Sequence, residues 1–327
     1  MSDRPNILVT RPIMEVPLRT LESRCDVTVH ENDFGIPRDE LLKVVQERDA
    51  IITMLTEKVD AEFLGAAGPQ LKIIANHAVG FDNITVADCT AAGVMVTNTP
   101  DVLTETTADT AFALLMTAAR RVGEGERFLR AGTPWIWGPL MMLGQDIHHK
   151  TIGIAGFGRI GQAVARRAKG FGMQVIYADA IQLPAEVEAE TGARRVDMDT
   201  LLAESDFVSI HTNLTPETRH LFGADAFKKM KSSAVLVNTS RGPVVDEDAL
   251  ADALAAGELF AAGLDVFEKE PQVNPKLLVL ENVVVIPHLG SATVDTRNAM
   301  GALAVENVFA ALDGTRPPTI LNPEVLG

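Results

Sequence analysis

The sequence predicts an α/β protein with two parallel sheets, each wrapped by helices on both faces. Short apolar runs alternate with helical patterns through two long stretches of the chain, which is typical of parallel strands joined by crossover helices. The 327 residues are enough for two domains with separate cores. Apolar residues make up 46% of the chain, an ordinary share for such domains, so the pattern indicates two doubly wound units.

The first unit contains five predicted strands. They lie at residues 6–10, 26–30, 50–55, 71–76 and 94–97, and none is followed by a glycine turn of the phosphate-binding type. The fourth strand leads into a loop at 77–83 whose small residues can present backbone N–H groups to an anion, although a plain turn explains them equally well. Pro100 then interrupts the pattern, so we expect the chain to leave the first domain at residue 99.

Residues 101–146 are predicted to form a helix followed by an extended arm. The sequence from Thr106 to Asp109 resembles a capping box, which predicts a helix from there to Arg121. The glycine- and proline-broken segment that follows carries both tryptophans, Trp135 and Trp137. Exposed aromatic residues on an irregular arm indicate a contact with a partner subunit, and packing within the same chain is the alternative.

The segment from Thr151 to Asp179 predicts a dinucleotide-binding site. A buried strand leads into Gly156-Phe157-Gly158-Arg159-Ile160-Gly161, an alanine-rich helix follows, and a second buried strand ends in Asp179. Gly156 permits the tight turn, Gly158 lets the backbone approach a pyrophosphate, and Gly161 lets the helix pack closely on the strand. Arg159 can add a phosphate contact. A βα turn without a ligand is the alternative, which the complete strand-helix-strand-acid context disfavours.

The position of Asp179 predicts NAD rather than NADP. A carboxylate at the end of the second strand can accept hydrogen bonds from the adenosine ribose. A 2′-phosphate beside that carboxylate would meet a repulsion of about 1 to 4 kcal/mol, depending on the effective dielectric constant. The next three residues, Ala180, Ile181 and Gln182, supply no compensating cation.

Four further strands are predicted at 207–211, 234–238, 261–266 and 283–286. With the two strands of the fingerprint they give a six-stranded parallel sheet, the size of a complete Rossmann domain, within residues 100–289. The helical pattern after the last strand has no place in that sheet, so we expect residues 290–327 to cross back and join residues 1–99 in a flavodoxin-like substrate domain. Two crossovers imply a cleft that closes around substrate.

The carboxyl ends of the second set of strands carry the candidate chemistry, because ligands of such sheets bind there. Polar or small residues at these ends are Thr212, Thr239, Ser240, Arg241, Asp265, Glu270, His288 and Gly290. His77, His211 and His220 lack such a combination of neighbours and stay outside the catalytic set.

Arg241, Glu270 and His288 are the catalytic candidates. When a nicotinamide cofactor adds a hydride to a carbonyl, the protein must hold the substrate and donate a proton to the developing alkoxide. His288 can donate that proton, Glu270 can stabilise the imidazolium, and Arg241 can bind a 2-oxo acid as a forked cation. Each residue alone has a structural explanation, and their combination favours catalysis.

Charge and composition exclude several classes of protein. The formal net charge of -15 argues against nucleic-acid binding, which depends on a concentrated basic surface. No apolar run is long enough to span a bilayer, and the first residues lack a secretory signal, so we expect a cytoplasmic protein without a membrane partner. Cys25 and Cys89, the only cysteines, have no metal-binding spacing, and no metal site is predicted.

These motifs resemble the D-isomer-specific 2-hydroxyacid dehydrogenases over nearly the whole chain. The resemblance is carried by 79–83, the 156–161 fingerprint, 238–247, 264–271 and 287–290. It implies catalytic roles for Arg241, Glu270 and His288. It also implies substrate contacts from Leu55, Val79, Gly80 and Arg241, and cofactor contacts from Gly156, Gly158, Arg159, Ile160, Gly161, Asp179, Thr212, Thr239, Ser240, Asp265, His288 and Gly290. Asp265 would contact the nicotinamide amide.

Within this family the chain is most similar to the glyoxylate and hydroxypyruvate reductases, on the basis of 53–56, 98–104 and the tryptophan arm. This implies reduction of a small 2-oxo acid to the D-2-hydroxy acid by a homodimer. Two alternatives stay open at this point. The same scaffold can oxidise another small anion, such as phosphite, D-lactate or 3-phosphoglycerate, or it can serve as an NAD-sensing corepressor without catalysis.

Overall fold

The computed structural model describes residues 4–32 and 34–327, which divide into two compact units. Unit 1 contains the described residues up to Leu103 together with Ala292–Gly327, and unit 2 contains Thr104–Ser291. Both units are parallel sheets covered by helices, so the predicted fold class is confirmed.

Unit 1 contains a five-stranded sheet. Its strands are β1 (Asn6–Val9), β2 (Asp26–Val29), β3 (Ala50–Thr53), β4 (Ile73–Asn76) and β5 (Met95–Thr97). Its helices are α1 (Glu15–Glu22), α2 (Arg38–Val44), α3 (Ala61–Ala67), α4 (Val86–Ala91) and α13 (Val294–Leu312).

All neighbouring strands of this sheet are parallel, in the order β2-β1-β3-β4-β5. This is the flavodoxin-like order, 2-1-3-4-5. Side chains alternate between two cores, so that Ile7 and Val9 enter one while Leu8 enters the other. Helix α13, from the C-terminal segment, packs on α1 and β4 and fills the core of Ile7 with residues such as Val308.

Unit 2 contains a seven-stranded sheet. Its strands are β6 (Thr151–Ala155), β7 (Gln174–Ala178), β8 (Ala193–Arg195), β9 (Phe207–Ile210), β10 (Val235–Asn238), β11 (Ala261–Leu264) and β12 (Val283–Val285). Its helices are α5 (Thr104–Ala119), α6 (Val122–Arg130), α7 (Arg159–Gly170), α8 (Ala185–Thr191), α9 (Met198–Glu204), α10 (Ala224–Phe227), α11 (Glu247–Ala255) and α12 (Pro275–Leu278).

The strand order of unit 2 is β12-β11-β10-β9-β6-β7-β8, and all pairs are parallel. Counted from β6, this is the Rossmann order 3-2-1-4-5-6 with a seventh strand added beyond the sixth. The expectation of six strands is therefore wrong. The strand that sequence reasoning missed is β8, because it is a three-residue edge strand and two of its residues are arginines.

Helix α5 packs on the sheet of unit 2 through an apolar face that includes Ala111, Leu114 and Leu115. It begins at Thr104 rather than at the predicted capping box, and it ends at Ala119. Asp109 instead accepts a hydrogen bond from Arg167 of α7, with Nε and Oδ1 2.7 Å apart.

The described residues contain neither a membrane-spanning helix nor a metal-binding cluster. No helix among them is both long and apolar enough to cross a membrane. No group of three or more His, Cys, Asp or Glu side chains among them is placed to hold a metal ion. Cys25 and Cys89 are buried in unit 1 and unpaired.

Candidate functional site

Two glycines of the turn after β6 occupy positions that exclude any side chain. Gly156 has a φ of +86°, and a Cβ atom there would lie 2.7 Å from the carbonyl carbon of His211. A Cβ atom on Gly161 would lie 2.4 Å from the carbonyl oxygen of Gly156. The strand, the turn and helix α7 therefore approach one another as closely as the fingerprint predicts. Arg159 and Ile160 open that helix, and Ile160 packs against the core of unit 2.

Gly158 differs from these two glycines because the space beside it is open. A Cβ atom there would meet no atom within 4 Å. Gly158 is also the N-cap of the 12-residue helix α7 and provides no side-chain cap. A helix N-terminus that has no side-chain cap and has open space at its N-cap is suited to bind a phosphate.

Among the described residues, two buried hydroxyl groups at neighbouring strand ends lack hydrogen-bond partners. The Oγ1 atoms of Thr212, after β9, and Thr239, after β10, are buried without a hydrogen bond in the described part of the chain. Buried hydroxyls are usually satisfied. Open space at Gly158 and two unsatisfied hydroxyls at neighbouring strand ends fit a bound dinucleotide.

Asp179 lies directly against the glycine turn. Its Oδ2 accepts a hydrogen bond from the N–H of Phe157 at 2.7 Å, and its Oδ1 accepts one from the N–H of Ile181 at 2.9 Å. Arg195 holds the other side of the same loop, donating to the carbonyl oxygen of Asp179 at 2.7 Å and to Oε1 of Gln182 at 2.6 Å. The sequence offered no cation here because Arg195 comes from β8, the strand that it failed to predict.

The loop after β10 orients Arg241. The buried amide of Asn238 accepts hydrogen bonds from the N–H and Oγ of Ser240, at 3.0 and 2.9 Å, and donates to the carbonyl oxygen of Arg241 at 3.0 Å. A Cβ atom on Gly242 would lie 1.9 Å from the carbonyl carbon of Phe267, so two backbone segments touch here. The loop of Arg241 is thereby packed against the start of the loop that carries Glu270.

Glu270 and His288 form a hydrogen-bonded pair. The Nδ1 of His288 lies 2.9 Å from Oε2 of Glu270, whose Oε1 accepts the N–H of Phe267 at 3.0 Å. Burial opposes ionisation of Glu270, but these hydrogen bonds and the charges of His288 and Arg241 together hold its pKa below its ordinary value. The structure thus brings the three predicted catalytic residues into one electrostatic group.

Asp265 fixes the backbone around His288. Its carbonyl oxygen accepts the N–H of His288 at 2.9 Å, and its buried carboxylate accepts the N–H groups of Leu289 and Gly290. Burial raises the pKa of Asp265, although the same N–H groups and His288 act in the opposite direction. His288 has a φ of +53°, an unusual conformation for a residue other than glycine, and such strain is concentrated at functional sites. A contact of Asp265 with nicotinamide stays a prediction.

The three histidines outside the catalytic set have other surroundings. Burial lowers the pKa of His211 to about 3, and burial together with Arg297 lowers that of His77 to about 4. Both are therefore neutral near pH 7. His220 forms a second histidine-carboxylate pair, with Glu268.

In unit 1, Val79 and Gly80 form a loop after β4, and Leu55 follows β3. The side-chain amide of Asn98 donates to the carbonyl oxygen of Val79 at 2.8 Å, and that of Asn76 donates to Gly80 at 2.9 Å. These bonds fix the direction of the loop's peptide units. Sequence reasoning missed both asparagines as positioning residues, since an Asn at a strand end is more commonly a turn residue.

A doubly wound dinucleotide domain that carries an arginine and a histidine-carboxylate pair at its strand ends defines a nicotinamide-dependent oxidoreductase. A family model described as D-isomer specific 2-hydroxyacid dehydrogenase, NAD binding domain, matches residues 112–290. The chain belongs to this family.

Relatives of known name match over nearly the full length. Glyoxylate reductase from Thermococcus onnurineus is 49% identical, over 99% of this chain and 97% of its own. A solved protein from Thermus thermophilus superposes with a TM-score of 0.91 at 42% identity, covering 97% of this chain and 99% of its own. The NADPH-dependent glyoxylate/hydroxypyruvate reductase from Sinorhizobium meliloti, solved with NADP and malonate, superposes with a TM-score of 0.82 at 34% identity. The match covers 98% of this chain and 97% of that protein.

Proposed function

We propose that this chain reduces a small 2-oxo acid, glyoxylate or hydroxypyruvate, to the corresponding D-2-hydroxy acid with NADH. The observation that carries the proposal is the pair of His288 with Glu270 next to Arg241. A protein of this family needs a proton donor and a cation for an anionic carbonyl substrate, and these residues provide both. The names of the relatives support the choice of substrate.

Each catalytic residue has a separate task in this proposal. The bound nicotinamide supplies the hydride. Because Glu270 engages Nδ1 of His288, Nε2 is the nitrogen that donates the proton to the carbonyl oxygen of the substrate. Arg241 polarises the carbonyl and binds the carboxylate, and proton donation by such a pair contributes about 10² to 10⁴ in rate.

The remaining site residues bind the two small molecules. The N–H groups of Val79 and Gly80 hold the substrate carboxylate, and Leu55 provides an apolar contact. The pyrophosphate of the dinucleotide would be held by Gly156, Gly158, Arg159, Ile160 and Gly161. The rest of the cofactor would contact Thr212, Thr239, Ser240 and Gly290, and its adenosine ribose would contact Asp179. The first domain, residues 1–99 and 290–327, binds substrate, and residues 100–289 bind the dinucleotide.

We further propose that the protein is a cytoplasmic homodimer without a nucleic-acid partner. The arm after α6 exposes Ile136 at 88% and Leu140 at 81% of their surface, and α6 itself buries no residue. An apolar patch of this kind is typical of a protein interface.

Steady-state oxidation of NADH and NADPH, with glyoxylate, hydroxypyruvate, pyruvate and phenylpyruvate, tests the activity. We expect turnover to be fastest with NADH and one of the first two acids. His288→Asn should lower kcat by at least about 10²-fold, since the proton donor is lost.

His220→Asn is the matched control, because it also breaks a histidine-carboxylate pair in unit 2. We expect its kcat to stay within about threefold of that of the unmodified protein. Equal losses in both variants would contradict the role of His288, and no turnover with any acid would contradict the proposed activity.

A further inference from the structure

Arg195 is a cation at the ribose end of the proposed cofactor site. It is the last residue of β8 and is paired in register with Tyr177 of β7. In the described part of the chain no carboxylate lies within ion-pair distance of its guanidinium, whereas the adjacent Arg194 forms an ion pair with Glu204 at 2.9 Å. The nearby carboxylate of Glu188 accepts the hydroxyl of Tyr177.

The bonds of Arg195 do not depend on the side chain of residue 179. Its guanidinium binds the backbone carbonyl of Asp179 and the amide oxygen of Gln182, both of them neutral acceptors. If the Asp179 carboxylate were removed, the cation would therefore keep its position beside the loop.

Removing that carboxylate would also release two backbone donors. The N–H groups of Phe157 and Ile181 now donate to Asp179. Adjacent free N–H groups next to an arginine form an anion site, and arginine binds phosphate through parallel hydrogen bonds.

We propose that Arg195 binds the 2′-phosphate of NADP once the carboxylate of Asp179 is removed. The loop that follows β7 is then able to bind an anion, and the Asp179 carboxylate alone sets the preference for NAD over NADP. This inference deepens the cofactor assignment on which the proposed function rests. Arg195 is thus a specificity-determining residue contributed by an edge strand, outside the glycine fingerprint.

Isothermal titration of NAD⁺ and NADP⁺ without substrate tests this proposal. In Asp179→Ser we expect the ratio of the NADP⁺ Kd to the NAD⁺ Kd to fall at least tenfold, because the repulsion of the 2′-phosphate is lost. Adding Arg195→Ala to Asp179→Ser should raise the NADP⁺ Kd again by at least tenfold and change the NAD⁺ Kd by less than threefold.

Arg194→Ala in the Asp179→Ser background is the matched control, since it removes the same charge one residue away. We expect it to leave NADP⁺ binding within threefold. Asp179→Asn, which retains one hydrogen-bond acceptor, replaces Asp179→Ser if the serine variant fails to fold.

Three results would overturn the proposal. The first is a ratio of the NADP⁺ Kd to the NAD⁺ Kd that stays unchanged in both Asp179→Ser and Asp179→Asn. The second is a gain in NADP⁺ binding that survives the addition of Arg195→Ala. The third is a loss of NADP⁺ binding with Arg194→Ala equal to that with Arg195→Ala. The failure of the proposed function would look different, because absence of turnover with intact NAD⁺ binding leaves the Arg195 result standing. Failure of the unmodified protein to bind NAD⁺ would overturn both.

Discussion

Gly156, Gly158 and Gly161 belong to one motif, but the structure separates their physical roles. Gly156 and Gly161 are required by the fold, since a Cβ atom at either position would collide with backbone. A Cβ atom on Gly158 would meet no described atom within 4 Å, so the fold itself does not require glycine there. We propose that this position is glycine because the bound cofactor approaches the backbone closely there.

This difference predicts opposite behaviour for two alanine substitutions. Gly158→Ala should leave the melting temperature unchanged and raise the Kd for NADH by at least about tenfold, because the new methyl group occupies the space of the phosphate. Gly156→Ala should lower the melting temperature itself, since it adds strain at positive φ and a clash. Fluorescence titration and thermal unfolding measure the two effects. Unchanged NADH binding by Gly158→Ala would contradict the cofactor site.

Sequence reasoning located residues whose chemistry follows a strand directly. Arg241, Glu270 and His288 are such residues, and the structure groups them together, while their catalytic roles stay predictions. Sequence reasoning failed where a residue acts from a distant part of the chain. Asn98 and Arg195 are examples, because the loop residues that they bind lie 13 or more positions away in sequence. No local pattern carries such information.

Among the elements, α3 shows how a short helix depends on charge at its first turn. Asp60 is its N-cap and accepts the N–H of Phe63 at 3.1 Å. Its carboxylate also pairs with Arg38 and, at 3.1 Å, with Lys58. Partial burial opposes ionisation, but these three partners outweigh it and lower the pKa of Asp60 to about 2.

We expect Asp60→Ala to lower the free energy of unfolding by about 1 kcal/mol at pH 7, a usual value for a lost cap. The folded-state pKa is below the ordinary 3.8, so this contribution is complete above about pH 4 and is lost as the pH falls toward 2. Urea unfolding followed by circular dichroism at pH 7 and pH 3 measures it. Asp60→Asn keeps an oxygen for the cap and should lower the free energy of unfolding by less than Asp60→Ala does. If the effect of Asp60→Ala were as large at pH 3 as at pH 7, the role of the ionised Asp60 would be contradicted.

Which helices and strands exist could be predicted from the sequence better than where each of them begins and ends. The long buried strands were found because their apolar runs are bounded by turns. Helix α5 begins two residues before its predicted capping box, and Asp109 pairs with Arg167 instead of capping. Strand β8 was not predicted because it is an edge strand of the sheet with one side open to water, where arginines are tolerated and an apolar run is absent.

For the whole molecule, the tryptophan arm predicts the oligomeric state. We expect sedimentation to give a species of twice the 35.1 kDa chain mass. Replacing Ile136 and Leu140 by serine should give a monomer, because apolar area is removed from the interface.

Val279→Ser is the control for the arm variant, since Val279 is 78% exposed and lies in unit 2 but outside the arm. It should leave the dimer intact. A dimer that persists in the arm variant would place the interface elsewhere.

The discontinuity of unit 1 has a consequence for synthesis. Its sheet is complete once Thr97 has been made, but α13, which fills the core beside Ile7 and Val9, is translated only after all of unit 2. Domains fold as units during translation when their residues are available. We therefore expect unit 2 to fold first on the ribosome. Until α13 has been made, the sheet of unit 1 keeps an apolar face uncovered, and this state is the most open to chaperones.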